Sequence, residues 1–252
     1  WTYAQFDARV NRLARALRRL GLESGARVAM LMYNRPEMLE SIFACFKAGL
    51  CAIPLNFRLH PSELAYIIDH AQARAIVTAS PFGETIATIR DQLPQVSHYI
   101  AIEPLHSDVL DYEALLAGET ESGTTAQVDP DDTAWLFYTS GTTGMPKGAM
   151  LTHRNLLAMT MGFYADMCPG FGTAEVVLHA APLSHGSGLY ALPNVGKAAA
   201  HIIPESPSFD PEDALQAIEI HRVTNFFAAP IMVKRLVDSP AVDRCDHSSL
   251  KA

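Results

Sequence analysis

The sequence predicts an α/β fold in which a mainly parallel sheet is covered by helices. Two observations support this class: short apolar runs alternate with longer segments whose apolar residues recur every three or four positions. The first pattern is typical of buried strands and the second of amphipathic helices, and their alternation is typical of parallel sheets. Hydrophobic residues make up 49% of the chain and charged residues 18%, which excludes extended intrinsic disorder.

The first half of the chain begins with a helix and continues as strand–helix repeats. Thr2 opens a T-x-x-Q capping box ahead of an apolar stripe that ends at Gly21. A buried strand is predicted at 27–32, and a second helix begins at Pro36 and runs to Gly49. The same reasoning predicts the following elements: a strand at 51–55, a helix starting near residue 61, and strands at 74–78 and 99–102.

One segment, 117–133, has no periodicity and few large apolar groups, so we predict a linker there. It separates a first α/β subdomain at 1–116 from a second, incomplete one at 134–252. Asp131 and Asp132 are interpreted as a solvated loop end, and no metal ligand is assigned to this chain. Beyond the linker the sequence predicts strands at 176–181, 201–204 and 223–228 and a helix at 211–221.

Charge and composition exclude several functional classes. The formal net charge of −8 argues against nucleic-acid binding, which requires a basic surface. No run of about 18 uncharged apolar residues occurs, and the first residues lack the pattern of a signal peptide. The four cysteines are scattered without a CxxC pair, as is typical of reduced thiols. We therefore expect a cytoplasmic protein with no transmembrane segment and no nucleic-acid partner.

The segment 134–148 carries the clearest chemical signal. A strand-like stretch ends in Thr-Ser-Gly-Thr-Thr-Gly, and Lys147 follows after Met and Pro. Glycines let successive backbone N–H groups point at one anion, and the hydroxyl groups and the lysine add donors and positive charge. We expect this loop to bind the polyphosphate of ATP through the following residues: Thr139, Ser140, Gly141, Thr142, Thr143, Gly144 and Lys147.

The loop is not a Walker A loop, which requires glycine directly before the lysine and serine or threonine directly after it. Pro146 and Gly148 occupy those positions, and proline has no N–H to donate. Kinase and GTPase-type chemistry is therefore disfavoured. The simpler interpretation is a flexible turn with a solubilising lysine. We prefer the phosphate-binding interpretation because the motif is ten residues long and directly follows a strand.

The string from Tyr138 to Gly148, YTSGTTGMPKG, closely resembles the signature loop of the adenylate-forming superfamily. Its members include acyl-CoA synthetases, luciferases and the adenylation domains of peptide synthetases. The next residues, AMLTHRNL, resemble the continuation of the loop in acyl-CoA synthetases. Weaker similarities follow the family's order and extend the resemblance over nearly the whole chain: WTYAQF at 1–6, KAGLCAIPLN at 47–56, PLSHGSG at 182–188 and VTNFFAAP at 223–230.

This resemblance implies ATP-dependent activation of a carboxylic acid by an acid–thiol ligase. The acid attacks the α-phosphorus of ATP, giving an acyl adenylate and pyrophosphate, and a thiol, usually that of coenzyme A, takes the acyl group. The loop with Lys147 would hold the β- and γ-phosphates, and Mg²⁺ would bridge phosphate oxygens and a family glutamate. The implied partners and cofactors are a small-molecule carboxylic acid, ATP, Mg²⁺ and coenzyme A.

Two interpretations of His185 stay open: a residue at the edge of the acyl or nucleotide pocket, which the resemblance implies, or a structural histidine on a turn. Peptide-synthetase domains commonly place an aspartate near here to pair with an amine. No residue from 182 to 190 is acidic, so a fatty, aryl or short-chain acid is favoured over an amino acid. Residues 162–164 and 225–228 are candidates for an acyl pocket, although core packing explains most of them.

Later family motifs, namely YGxTE, (S/T)GD and a C-terminal domain bearing a catalytic lysine, do not occur in these 252 residues. We therefore expect a portion of the family's large domain that does not adenylate by itself, and we assign it no catalytic residue. Apolar faces that the rest of such a domain would cover favour a homodimer. The alternative function is a non-catalytic module that keeps the loop to bind a nucleotide or a partner.

Overall fold

The computed structural model describes residues 1–105, 108–123, 125–139 and 144–251. These residues form two compact units, one comprising residues 1–154 and the other the residues from Asn155 onward. Within the described ranges the first unit has a seven-stranded sheet and the second a three-stranded sheet.

The first unit is an α/β structure with a mainly parallel sheet, as the alternation predicts. The strand order is β5-β4-β3-β1-β2-β6-β7, and the neighbouring pairs are parallel up to the last, β6–β7, which is antiparallel. In chain order the elements are α1 (Tyr3–Arg19), β1 (Arg27–Leu31), α2 (Pro36–Ala48), β2 (Cys51–Pro54), α3 (Pro61–His70), β3 (Ala73–Thr78), α4 (Gly83–Ile89), β4 (His98–Ala101), β5 (Leu110–Asp111), α5 (Tyr112–Ala117), β6 (Thr133–Thr139) and β7 (Lys147–Thr152).

The ends of the first two helices follow directly from their sequences. The Thr2 hydroxyl accepts a hydrogen bond from the Gln5 backbone N–H at 3.2 Å, and the Gln5 side chain accepts one from the Thr2 N–H at 2.8 Å. Pro36 occupies the first turn of α2, and Gly49 ends that helix with a φ of +70°. Glycine adopts this left-handed conformation without strain, so the predicted capping box and glycine stop are confirmed.

The core of the first unit lies on the central strands. Both faces of β1 and β2 are buried, since all their residues except Arg27 are inaccessible or nearly so. This explains why both strands are apolar runs without alternation, as expected for parallel strands covered on two sides. Trp135 on β6 is also fully buried and packs against Phe46 of α2.

The structure divides the chain at a different place from the predicted linker at 117–133. Strand β6 pairs with β2 through Ala52 and Trp135, so β6 and β7 complete the first sheet rather than open a second subdomain. The segment before β6 is also packed, because the Ala126 N–H donates to the Lys47 carbonyl at 2.7 Å. Low periodicity therefore marks an irregular segment here, and the compact units separate after Arg154.

The second unit is a smaller α/β layer with the parallel strand order β10-β8-β9. The apolar runs predicted as strands extend beyond the residues that pair, because composition does not distinguish a paired residue from one in a buried loop. Its elements are α6 (His153–Gly162, beginning at the boundary), β8 (Val176–Leu178), α7 (Gly186–Gly196), β9 (Ala200–Ile202), α8 (Pro211–His221), β10 (Asn225–Phe226) and α9 (Pro230–Val237). Its core comprises Leu178, Ala214, Leu215, Ile218, Val223, Leu236 and Ala241.

None of the helices in the described ranges combines the length and the apolar character needed to cross a bilayer.

Candidate functional site

The β6–β7 hairpin places the two described ends of the predicted phosphate loop opposite each other. Thr139 is the last residue of β6 and pairs with Lys147, the first residue of β7. Gly144 has a φ of +89°, a conformation that favours glycine. Thr139 and Lys147 are therefore brought together, while their role in phosphate binding stays a prediction. Four further predicted loop residues lie outside the described part of the chain: Ser140, Gly141, Thr142 and Thr143.

Lys147 follows a buried proline and carries an exposed side chain. Pro146 is buried directly before it, and the proline ring restricts the backbone at the start of β7. A flexible lysine side chain on a fixed strand end acts as a mobile positive charge within a limited region. This combination can neutralise part of a bound polyanion.

Tyr138 connects the hairpin to helix α3. Its hydroxyl lies 2.8 Å from Nδ1 of His70, the last residue of α3. Burial raises the pKa of Tyr138 to about 12, so the phenol stays protonated at neutral pH. A hydrogen bond therefore joins the phenol hydroxyl to Nδ1 of His70. Sequence reasoning missed His70, because 68 positions separate the partners and no local pattern links them.

His185 lies directly before α7, beside aromatic side chains of the second unit. Its ring centroid is 6.4 Å from that of Phe227, which stacks on Tyr190 at 5.5 Å. The ring centroids of Tyr190 and Phe163 are 5.8 Å apart. A Cβ atom on Gly186 would lie 2.4 Å from the Phe227 ring, so only glycine allows this packing. The structure thus brings His185 close to two of the predicted acyl-pocket candidates, Phe163 and Phe227. We call these residues, together with Tyr190 between them, the His185 aromatic group.

A chain of polar side chains, in which His179 and Ser187 are buried and His201 is half-buried, lies under the start of α7. His179 Nδ1 lies 2.8 Å from the Ser187 hydroxyl, and His179 Nε2 lies 2.8 Å from Nδ1 of His201 on β9. Burial lowers the pKa of His179 well below its usual value and lowers that of His201 to about 4. Both imidazoles are therefore neutral at pH 7. The sequence offered no signal for this pair beyond two histidines in apolar surroundings.

We expect the second unit to lose stability as the pH falls below about 6.5, the usual histidine pKa. Below that pH the unfolded chain binds protons at these histidines, whereas the folded chain does not until about pH 4 for His201. Stability is therefore complete above pH 6.5 and falls by about 1.4 kcal/mol per pH unit for each histidine. Urea unfolding at pH 7.5, 6.5 and 5.5, with hydrogen exchange in β8 and β9 as the probe, measures this loss.

The matched controls for this pH dependence are two histidine-to-leucine variants. His201→Leu removes one half-buried imidazole and should flatten the pH dependence, whereas His221→Leu replaces an exposed histidine at the end of α8 and should leave the pH dependence unchanged. Equal unfolding free energies of the unmodified protein at pH 7.5 and 5.5 would contradict the expectation.

The described residues do not form a ligand set for Mg²⁺. Among them, no three His, Cys, Asp or Glu side chains lie close enough together to hold a metal ion. Asp131 is paired with Arg154 at 2.7 Å, on the surface. The Arg154 guanidinium lowers the pKa of this aspartate, which is consistent with the predicted solvated loop end.

Comparisons with known proteins match the whole chain. The sequence profile of the family described as AMP-binding enzyme matches residues 1–252. A feruloyl-CoA synthase from an Amycolatopsis species is 35% identical over 252 residues, which cover 99% of this chain and 48% of the relative. The structure of the anthranilate CoA ligase AuaEII in complex with anthranoyl-AMP matches with a TM-score of 0.90 at 25% identity, covering 98% of this chain and 48% of that chain.

A nucleotide-bound structure also matches. ATP-bound MatB from Rhodopseudomonas palustris gives a TM-score of 0.82 at 31% identity, covering 98% of this chain and 48% of that one. The chain spans about half the length of the curated relatives that it matches. The family profile nevertheless covers every residue of the chain and includes the YTSGTTGMPKG string. This chain therefore belongs to the AMP-binding enzyme family, as the resemblance of that string predicts.

Proposed function

We propose that the protein uses ATP to activate a carboxylic acid and then transfers the acyl group to coenzyme A. Membership of the family supports the use of ATP, and matched proteins are named as a CoA synthase and a CoA ligase. The observation that carries the proposal is the β6–β7 hairpin. Its strand ends, Thr139 and Lys147, flank a loop rich in glycine and hydroxyl groups.

The proposed reaction has two steps. A carboxylate oxygen attacks the α-phosphorus of ATP, and the bond from this phosphorus to the oxygen bridging to the β-phosphate breaks, so that pyrophosphate leaves. The coenzyme A sulfur then attacks the acyl carbon, the thiol loses its proton, and AMP leaves with the electron pair of the carbon–oxygen bond. Both substrates of the first step are anions, so positioning and charge neutralisation supply most of the catalysis.

We assign the binding of the β- and γ-phosphates to Lys147 and the loop residues at 139–144. The lysine would offset the charge of the departing pyrophosphate, and the backbone N–H and hydroxyl groups would donate hydrogen bonds to its oxygens. Mg²⁺, when bound, would neutralise further phosphate charge. Among the described residues, no group of three His, Cys, Asp or Glu side chains could hold this ion.

We further propose that the acid is aromatic. The names of two matched proteins refer to feruloyl and anthranilate groups, and the His185 aromatic group offers ring faces and edges against which an aryl acid can pack. No residue from 182 to 190 is acidic, so this region supplies no carboxylate to pair with the amine of an amino acid. His185 is assigned to the edge of the acyl pocket.

The proposal is tested by acid-dependent exchange of pyrophosphate into ATP, with the protein as the gene encodes it. Ferulate, anthranilate, benzoate, palmitate and phenylalanine serve as candidate acids, and calorimetry measures ATP binding separately. We expect exchange with the aromatic acids and formation of the coenzyme A thioester. ATP binding without exchange for any acid would favour the alternative, a non-catalytic nucleotide-binding module. Absence of ATP binding would exclude the proposal and leave only the partner-binding form of the alternative.

A cytoplasmic location and a homodimer belong to the same proposal. The four cysteines are free thiols, as is usual in a reducing compartment. Leu157 and Met161, four positions apart on α6, are exposed apolar side chains that a second copy could cover. Cell fractionation and light scattering of the purified protein test the two statements.

A further inference from the structure

Tyr138 is held on two sides by residues from different elements, and we call His70, Tyr138 and Gly148 the Tyr138 clamp. On one side, His70 Nδ1 lies 2.8 Å from the Tyr138 hydroxyl, with the two rings edge to face at 6.0 Å. On the other side, Tyr138 and Gly148 are directly paired across β6 and β7. The clamp therefore joins helix α3 to both strands of the hairpin.

The orientation of His70 is set by its own helix. Its imidazole stacks on Tyr66, four positions earlier in α3, with ring centroids 5.3 Å apart and planes at 23°. Residues four apart lie on one face of a helix, so this stacking limits the rotamers of His70. The stacking on Tyr66 thus helps to orient the imidazole towards Tyr138.

Gly148 lets the tyrosine ring lie directly on the neighbouring strand. A Cβ atom at position 148 would lie 2.9 Å from the Tyr138 ring, which is closer than ordinary van der Waals contact. Tyrosine rings cover glycines on neighbouring strands in other sheets, where they strengthen the strand pair. The glycine and the hydrogen bond to His70 therefore both constrain the position of the ring.

We propose that His70 is a positioning residue of the ATP site: through Tyr138 it holds the strand ends that carry Thr139 and Lys147. Thr139 follows Tyr138 directly and Lys147 precedes Gly148 directly, so a fixed Tyr138–Gly148 pair fixes the separation of these two residues. A preorganised strand end reduces the conformational entropy lost when the phosphates bind. The inference rests on the proposed function, since it concerns the site where ATP would bind.

The test measures ATP affinity and local backbone stability in the same variants. We expect His70→Ala and Tyr138→Phe each to weaken ATP binding about three- to tenfold, the size of one lost hydrogen bond. The double variant should bind no more weakly than either single one, because both remove the same contact. In steady-state assays the KM for ATP should rise while kcat at saturating ATP changes little.

Two further variants separate positioning from general stability. His70→Asn keeps a hydrogen-bonding group near the place of Nδ1 and should restore most of the affinity. His221→Ala removes another exposed histidine from the end of a helix and should leave ATP affinity unchanged. A loss of folding stability alone would lower the unfolding free energy without changing the KM for ATP.

Hydrogen exchange of the backbone amides at 137–139 and 147–149 measures, in the absence of ATP, how firmly the Tyr138 clamp holds the two strand ends. We expect faster exchange there in His70→Ala and unchanged exchange in His221→Ala. Unchanged exchange at the hairpin in His70→Ala, or faster exchange with unaltered ATP affinity, would overturn the inference. If the unmodified protein does not bind ATP, the proposed function fails and the positioning role falls with it, while hydrogen exchange still shows whether His70 holds the strand ends.

Discussion

Replacing Lys147 with alanine is expected to lower the rate of adenylate formation about ten- to a hundredfold without unfolding the protein. Lys147 is exposed at the first residue of β7, so its removal leaves no buried cavity and no buried unpaired group. A hydrogen bond to a charged group contributes about 1.5–3 kcal/mol, which corresponds to this range of rates. Pyrophosphate exchange with the best acid substrate, together with the thermal midpoint of unfolding, measures both parts of the prediction.

Two control variants define what the Lys147→Ala result means. Lys147→Arg keeps the positive charge and should retain more activity than the alanine variant, although its planar guanidinium fits a lysine site imperfectly. Lys234→Ala removes an exposed lysine of α9 that pairs with Asp238 and should not change the rate. Unchanged exchange in Lys147→Ala would remove this lysine from the mechanism.

Replacing Arg9 with methionine is expected to reduce the free energy of unfolding by about 3–5 kcal/mol. Arg9 of α1 donates through Nε to Glu40 of α2 at 2.5 Å, and the Glu40 side chain is fully buried. Without Arg9 this carboxylate stays buried without its cation, and such losses are among the largest for single substitutions. Urea unfolding at pH 7 measures the loss.

Tyr112 also donates to Glu40, but this hydrogen bond is too weak to compensate for the loss of Arg9. Tyr112 of α5 donates its hydroxyl to Glu40 at 2.7 Å, but burial outweighs the hydrogen bonds and raises the pKa of Glu40. Arg9 also pairs with Glu113 at 2.5 Å, so one guanidinium ties α1 to α2 and α5. In the methionine variant we expect Glu40 to take up a proton more readily, so that the stability loss shrinks towards pH 4.

Arg12→Met is the matched control, since Arg12 lies on the same helix and is also paired. Its partner Glu121 is 2.6 Å away, but the two side chains are 34% and 63% exposed. Solvent screens such a pair, which contributes about 0–1 kcal/mol. Similar losses for Arg9→Met and Arg12→Met would show that burial of Glu40 does not govern the effect.

Local sequence patterns predicted the ends of α1 and α2 and the central strands of the first unit, but not α4, β5 or α5. The capping box at Thr2, the proline at the start of α2 and the glycine at its end act within a few residues of one another, and the structure confirms each of them. The apolar runs at β1 and β2 are likewise explained by burial on both faces. These signals are reliable because the residues that stabilise each helix or strand lie within it or next to it in the sequence.

Helix α7 escaped prediction because its sequence contradicts local rules. It contains Pro193 and begins with glycines, residues that disfavour helices. Tertiary contacts compensate: the Tyr164 hydroxyl donates to the Pro193 carbonyl at 2.6 Å, and Ser187 binds His179 in the core. Tertiary packing therefore determines that this segment is helical, and such packing cannot be predicted from the segment's own sequence.

In the candidate site, too, some features follow from the local sequence and others depend on tertiary packing. The order of residue types in YTSGTTGMPKG indicated a phosphate loop and the family, because that chemistry depends on neighbours in the chain. The sequence by itself thus determined the α/β class, the helix ends and the chemical character of the loop. Only the tertiary structure decided that β6 joins the first sheet, that His70 meets Tyr138 and that Arg9 meets Glu40. The physical reason is that these contacts join residues far apart in sequence, whose meeting depends on how whole elements pack.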